Sequence, residues 1–65
     1  MQYVIQVKAN HDCFIADVDG DPGRTTIIEN ARIYNDKDFA NQQKNQLKRK
    51  YPNRDFSVRE VVDFL

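Results

Sequence analysis

Apolar and polar residues alternate at the start of the chain, and the same alternation returns near its end. Over residues 1–8 this pattern predicts a β-strand. Residues 9–12, Ala-Asn-His-Asp, are rich in residues that favour a turn. The apolar residues 13–16 then predict a second strand, which forms an antiparallel hairpin with the first. Residues 25–28 are β-branched throughout and predict a third strand. Residues 31–34 would form either a fourth short strand or the approach to a helix.

A stripe with one member every four residues predicts a single helix over residues 36–51. Asn35 is a suitable N-cap, and Pro52 should end the helix because its ring removes a backbone donor. Apolar residues at alternate positions of 56–65 predict the last strand. The helical stripe consists of Phe39, Ala40, Gln43, Leu47 and Tyr51.

These elements predict an α+β domain over residues 1–65, an antiparallel sheet of three to four strands in ββ(β)αβ order with one helix packed on one face. Because one helix covers one face only, Val4, Phe14 and Val61 are expected on an open face. That face would be a homodimer or partner surface, or would hold scattered exposed apolar side chains. The predicted core is Tyr3, Ile5, Val7, Ile15, Ile27, Phe39, Leu47, Tyr51, Phe56, Val58 and Val62.

Composition narrows the classes of function. The 65 residues carry ten basic and ten acidic side chains, so the formal net charge is zero, whereas nucleic-acid-binding domains are usually basic. Cys13 is the only cysteine and His11 the only histidine, which excludes an internal disulfide and leaves too few ligands for a zinc site. No stretch has the pattern of a signal peptide or a membrane span. We therefore expect a cytoplasmic domain without a metal or cofactor.

Residues 17–25 form the segment of the chain richest in candidate functional residues. They include three aspartates, both glycines, a proline and an arginine. Asp17, Asp19 and Asp21 match the first three ligand positions of an EF-hand loop. The loop then has proline where that motif needs glycine, and Ile28 where it needs a bidentate glutamate. A calcium site of this class is therefore not expected, and only an irregular cation site stays open.

The same loop contains residues typical of a tight turn and residues that partly match a phosphate-binding loop. Pro22 and Gly23 fit the central positions of a type II turn, in which glycine takes the positive φ. Residues 20–25, Gly-Asp-Pro-Gly-Arg-Thr, are glycine-rich but lack the lysine and hydroxyl pair of a P-loop. A phosphate site is the less favoured interpretation of Arg24, which in a turn is more often solvated or ion-paired.

Residues 14–21, Phe-Ile-Ala-Asp-Val-Asp-Gly-Asp, resemble the strand and nucleophile loop of haloacid-dehalogenase-type phosphatases. The resemblance implies Asp17 as nucleophile and Asp19 as the acid and base. That family also needs a parallel doubly wound sheet, a later lysine and a late acidic pair for magnesium. A chain of 65 residues cannot supply that scaffold, so we reject this interpretation.

Two further groups of residues are candidate sites. Cys13 and His11 lack a third group to orient them, so Cys13 is expected to be a structural thiol, and we expect no enzyme. A basic cluster at the helix end could follow a nucleic-acid backbone, although a solvated helix face complementing the helix dipole is the favoured interpretation. The basic cluster consists of Lys44, Lys48, Arg49, Lys50 and Arg54.

The order of signals along the whole chain also carries a resemblance. Two strands precede Gly-Asp-Pro-Gly-Arg-Thr. A short strand, Glu-Asn-Ala, an aromatic residue, a capped basic helix, Tyr-Pro and a last strand come after it. This order resembles short uncharacterised proteins of bacteriophages and prophages. The resemblance implies a protein that binds and inhibits or modulates a larger host complex, for example a defence nuclease in the manner of an anti-CRISPR protein. We expect Asp17, Asp19, Asp21 and Arg24 to contact that partner, with nucleic-acid binding by the basic cluster as the alternative.

Overall fold

The computed structural model describes residues 1–8, 13–20 and 22–65. The predicted α+β fold is confirmed, with one helix packed against a four-stranded antiparallel sheet. The predicted turn over residues 9–12, which includes His11, lies outside the described residues, as does Asp21. The elements are β1 (Tyr3–Lys8), β2 (Cys13–Ile15), β3 (Arg24–Thr25), α1 (Lys37–Lys50) and β4 (Asp55–Glu60), with 3-10 turns at Ile28–Asn30 and Val61–Phe64.

The strands lie in the order β3-β2-β1-β4. The hairpin of β1 and β2 is confirmed as antiparallel, with Val7 opposite Cys13. The strand β4 pairs with β1 along its whole length, from Tyr3 opposite Glu60 to Lys8 opposite Asp55. Thus β1 is a central strand, and β4 forms one edge of the sheet.

The helix begins one residue later than predicted. Asp36, not Asn35, is its N-cap, and the Asp36 carboxylate accepts a hydrogen bond from the Asp38 amide at 3.0 Å. This bond satisfies one of the amide groups that have no partner within the first turn. Tyr51 caps the other end, so Pro52 follows the helix as expected.

The helix-facing side of the sheet holds the first core cluster. Ile5, Val7 and Ile15 are buried there together with Tyr34 and Ala40. Of the predicted core, Tyr3, Leu47, Phe56 and Val58 pack partly buried against this cluster. The period-two and period-four patterns therefore identified most of this layer of the core, but the predicted core did not include Tyr34 and Ala40.

The opposite face of the sheet is not open, which corrects the sequence-based expectation. Val4 and Phe14 are buried there with Ala31. The Phe64 ring packs edge-on against the Phe14 ring, with ring centroids 4.9 Å apart. Ile28 and Val61 also cover this second cluster. The face through which a homodimer was predicted is therefore covered by the chain itself.

Two local turns explain why β3 and β4 end earlier than the strands predicted over residues 25–28 and 56–65. The Thr25 hydroxyl accepts a hydrogen bond from the Ile27 amide at 3.1 Å, which turns the chain directly after β3. At the other end, β4 stops at Glu60, and the following 3-10 turn brings Phe64 to the face opposite the helix. Ile27 and Val62, which were predicted to be in the core, are consequently exposed. Phe39, also predicted to be in the core, is exposed in the first turn of α1.

Candidate functional site: the acidic loop

The loop between β2 and β3, residues 16–23, is closed by the backbone and called the acidic loop below. The Ala16 amide donates a hydrogen bond to the Gly23 carbonyl at 3.0 Å. Pro22 is buried although it lies in a loop. The loop is therefore held at its base, and Asp17 and Asp19 lie on this closed loop.

Gly23 is required by close packing of the backbone, not by a type II turn. Positive φ occurs at Gly20, where it is +158°, and not at Gly23, so the predicted turn is wrong. A β-carbon at position 23 would stand 1.9 Å from the Val18 carbonyl oxygen and 2.9 Å from that of Ala16. Only glycine lets the two sides of the loop approach this closely.

The carboxylates of the acidic loop are available to solvent. The Asp17 side chain is 77% exposed and forms an ion pair with Arg32, with an oxygen-to-nitrogen distance of 3.3 Å. Asp19 is also exposed, whereas Asp21 lies outside the described residues. The structure therefore places two of the three predicted carboxylates on the surface of one short loop.

Arg24 begins β3 directly after the acidic loop and is exposed. Its guanidinium donates a hydrogen bond to the Pro22 carbonyl of the loop at 2.9 Å. This bond helps to hold the loop closed. Arg24 thus supports the loop, and the exposed part of its side chain is accessible to a partner.

Arg32 belongs to the site, and the sequence analysis missed it. Its backbone amide donates to the Ile15 carbonyl at 2.8 Å, which brings it beside the end of β2. Its guanidinium lies 5.5 Å from the centre of the Tyr34 ring while it pairs with Asp17. No local motif marks a contact between residues 15 positions apart, so only the folded chain reveals it.

Tyr34 is the titratable group that this site perturbs. Burial raises the pKa of Tyr34 above its ordinary value of 10.0; the Arg32 charge lowers it, and the Asp17 charge raises it. As the pH rises, the unfolded chain therefore loses the Tyr34 hydroxyl proton before the folded chain does. The contribution of the protonated Tyr34 to stability is complete below about pH 10. It is lost as the pH rises through the folded-state pKa.

We expect Tyr34→Phe to reduce the loss of stability above pH 10.0, since the phenylalanine ring cannot ionise. The ring contacts with Phe39 and the first core cluster would be kept. Urea unfolding at increasing alkaline pH measures this effect. Identical alkaline profiles for the variant and the native chain would contradict the assignment to Tyr34.

The basic cluster does not form a single face in the structure. At about 100° per residue, Lys44 and Lys48 lie close together around α1, while Arg49 and Lys50 point elsewhere. The Lys48 ammonium is engaged by the Pro52 and Arg54 carbonyls, at 3.2 and 2.8 Å, and by Asp55 at 3.5 Å. Lys48 thus closes the turn after the helix, and the nucleic-acid interpretation stays an untested prediction.

The acidic loop and the basic helix end lie at opposite ends of the sheet. The loop follows β2, which is antiparallel to β1, so it lies where β1 begins. The chain after α1 leads into Asp55, which pairs with Lys8 at the last position of β1. A partner that contacted both charged groups would have to reach from one end of the strands to the other.

Other candidate chemistry is limited in the part of the chain that the structure describes. Cys13 is half-buried and packs against the first core cluster, as expected for a structural thiol. Among residues 1–8, 13–20 and 22–65, no three histidine, cysteine or acidic side chains are grouped to bind a metal ion. The described helices include none with the length and apolar character to span a membrane.

Comparison of the chain with protein-family models, with curated proteins and with solved structures finds no match in any of the three.

Proposed function

We propose that this chain is a non-enzymatic protein-binding domain, which presents the acidic loop to a basic surface of a larger partner. The observation that carries the proposal is the exposure of Asp17 and Asp19 on a loop whose base is closed by backbone hydrogen bonding and close glycine packing. A loop held in one shape loses little conformational entropy on binding. Clustered carboxylates in turn favour encounter with a basic patch.

The class of partner follows from the resemblance to short bacteriophage proteins. A defence nuclease has a basic groove for nucleic acid, and an acidic loop can occupy part of such a groove without any net negative charge on the domain. We propose such inhibition, in the bacterial cytoplasm, as the finer form of the function. Residues Asp17, Asp19 and Asp21 would provide the contacting charges, with Arg24 supporting the loop.

The test compares capture of proteins from a bacterial lysate by three forms of the domain. These are the native chain, Asp17→Asn with Asp19→Asn, and a control with Glu29→Gln and Asp63→Asn. Both variants remove two negative charges, and the control residues are exposed outside the acidic loop. We expect the native chain and the control to retain the same basic protein or complex, and the loop variant to lose about tenfold or more of it.

Equal retention by the loop variant would contradict the proposal, as would the absence of any specifically retained protein. A direct measurement on duplex and single-stranded oligonucleotides separates the alternative function. Binding that falls steeply with salt and is lost on Arg49→Asp, but not in the loop variant, would instead support the nucleic-acid interpretation.

A further inference from the structure

The outer edge of β4 presents unpaired backbone groups. The Val61 amide donates to the Gln2 carbonyl at 2.9 Å, so this residue pair is hydrogen-bonded across the two strands. In an antiparallel ladder hydrogen-bonded and non-hydrogen-bonded pairs alternate. Asp55, Ser57 and Arg59 therefore bond inward to β1, and the N–H and C=O groups of the residues between them point outward.

Those outward groups belong to Phe56, Val58 and Glu60. Tyr3 confirms the alternation, because it lies opposite Glu60 and exchanges both of its backbone bonds with Tyr34 on its other side. No hydrogen bond between described residues reaches the outward groups of Phe56 or Val58. An edge of this kind is a template for another strand.

The side chains of β4 are complementary to those of β4 in a second copy of this chain. In antiparallel pairing centred on Ser57, Phe56 of one copy would lie opposite Val58 of the other. In the same register Asp55 would lie opposite Arg59 of the second copy. Both matches occur twice by symmetry, and residues that share a sheet face stay on that face.

The flanking position fits the same register. Arg54 would lie opposite Glu60 of the second copy, again joining opposite charges. Pairing centred one residue later would place the Phe56 ring opposite the Glu60 carboxylate, an apolar group against a charged one. The Ser57-centred register matches charge with charge and apolar with apolar at each of these positions.

We propose that two copies of this chain associate edge to edge through β4, in antiparallel register centred on Ser57, to form a continuous eight-stranded sheet. Phe56 and Val58 would exchange four backbone hydrogen bonds across the two-fold axis. The acidic loop connects β2 and β3, in the half of the sheet away from β4. The dimer would therefore carry two acidic loops, one on each outer side.

Charge reversal tests this register, with the self-association of each protein measured by sedimentation up to about 1 mM, a range suited to a small interface. The native chain should approach twice its mass of 7.7 kDa as concentration rises. Asp55→Arg and Arg59→Asp should each weaken self-association about tenfold or more, because each places like charges opposite one another twice. A mixture of the two variants should form a mixed dimer, since position 55 of each copy and position 59 of the other would then carry opposite charges.

Arg49→Asp is the matched control, because it has the same net charge as Arg59→Asp but lies on the helix. It should self-associate like the native chain and should form a mixed dimer with Asp55→Arg less readily than Arg59→Asp does, because only one of the two charge pairs is then matched. Circular dichroism of each variant checks the fold, to which the exposed ion pairs of Asp55 and Arg59 contribute little. A native chain that stays monomeric, or a variant mixture without a mixed dimer, overturns the proposal.

Amide hydrogen exchange provides a second readout at single residues. The Phe56 and Val58 amides should exchange rapidly at low concentration and slowly at high concentration, because the second copy then accepts their hydrogen bonds. Exchange at these two amides that does not depend on concentration would also overturn the proposed register.

Discussion

Replacement of Phe14 by alanine is expected to lower the free energy of unfolding by about 3–5 kcal/mol. Phe14 is 4% exposed, and its ring contacts the Phe64 ring at 4.9 Å between centroids. A chain of 65 residues is expected to have a total stability of roughly 3–10 kcal/mol. The variant should therefore be partly or wholly unfolded under native conditions.

Urea unfolding followed by circular dichroism measures this loss, with Val62→Ala as the matched control. Val62 is 60% exposed at the neighbouring 3-10 turn, so its truncation should change stability by about 0.5 kcal/mol or less. A small effect of Phe14→Ala would mean that the second core cluster does not hold the sheet together. A large effect of Val62→Ala would instead favour the continuous last strand predicted from the sequence.

The second large effect is expected at the acidic loop. Gly23→Ala should destabilise the domain by about 2–4 kcal/mol, because the new β-carbon would stand 1.9 Å from the Val18 carbonyl oxygen. The backbone must shift to relieve this contact, and the hydrogen bond from the Ala16 amide to the Gly23 carbonyl would be strained or lost.

Thermal unfolding of Gly23→Ala beside Asp19→Ala separates a backbone effect from a general effect of changing the loop. Asp19 is exposed, so its replacement should change stability by about 0.5 kcal/mol or less. If Gly23→Ala unfolded at the native temperature, the close approach of the two sides of the loop would not be needed for stability.

The central strand and the helix could be predicted from local pattern. Alternation over residues 1–8 corresponds to β1, and the period-four stripe corresponds to α1. Both signals are strong because β1 and α1 each contribute one side to the first core cluster, which places apolar residues at a regular period. Asn35 and Asp36 are both good caps, so the exact N-terminal residue of the helix could not be chosen from residue preference.

The acidic loop was recognised from composition, but its internal organisation was not. The pair Pro22 and Gly23 suggested positive φ at Gly23, whereas Gly23 is needed for space and Gly20 has the positive φ. Arg32 joins the loop from 15 residues away. Such a contact depends on how β2 lies beside the chain before α1, which no short motif encodes.

The sequence by itself determined the α+β class, the single helix, the central strand and the presence of one charged loop. These follow from periodicity, turn chemistry and composition, which act over a few neighbouring residues. Only the tertiary structure decided that both faces of the sheet are covered, and that β4 is an open edge. The physical reason is that burial and strand pairing depend on residues distant in sequence, such as Phe64 against Phe14 and Asp55 beside Lys8.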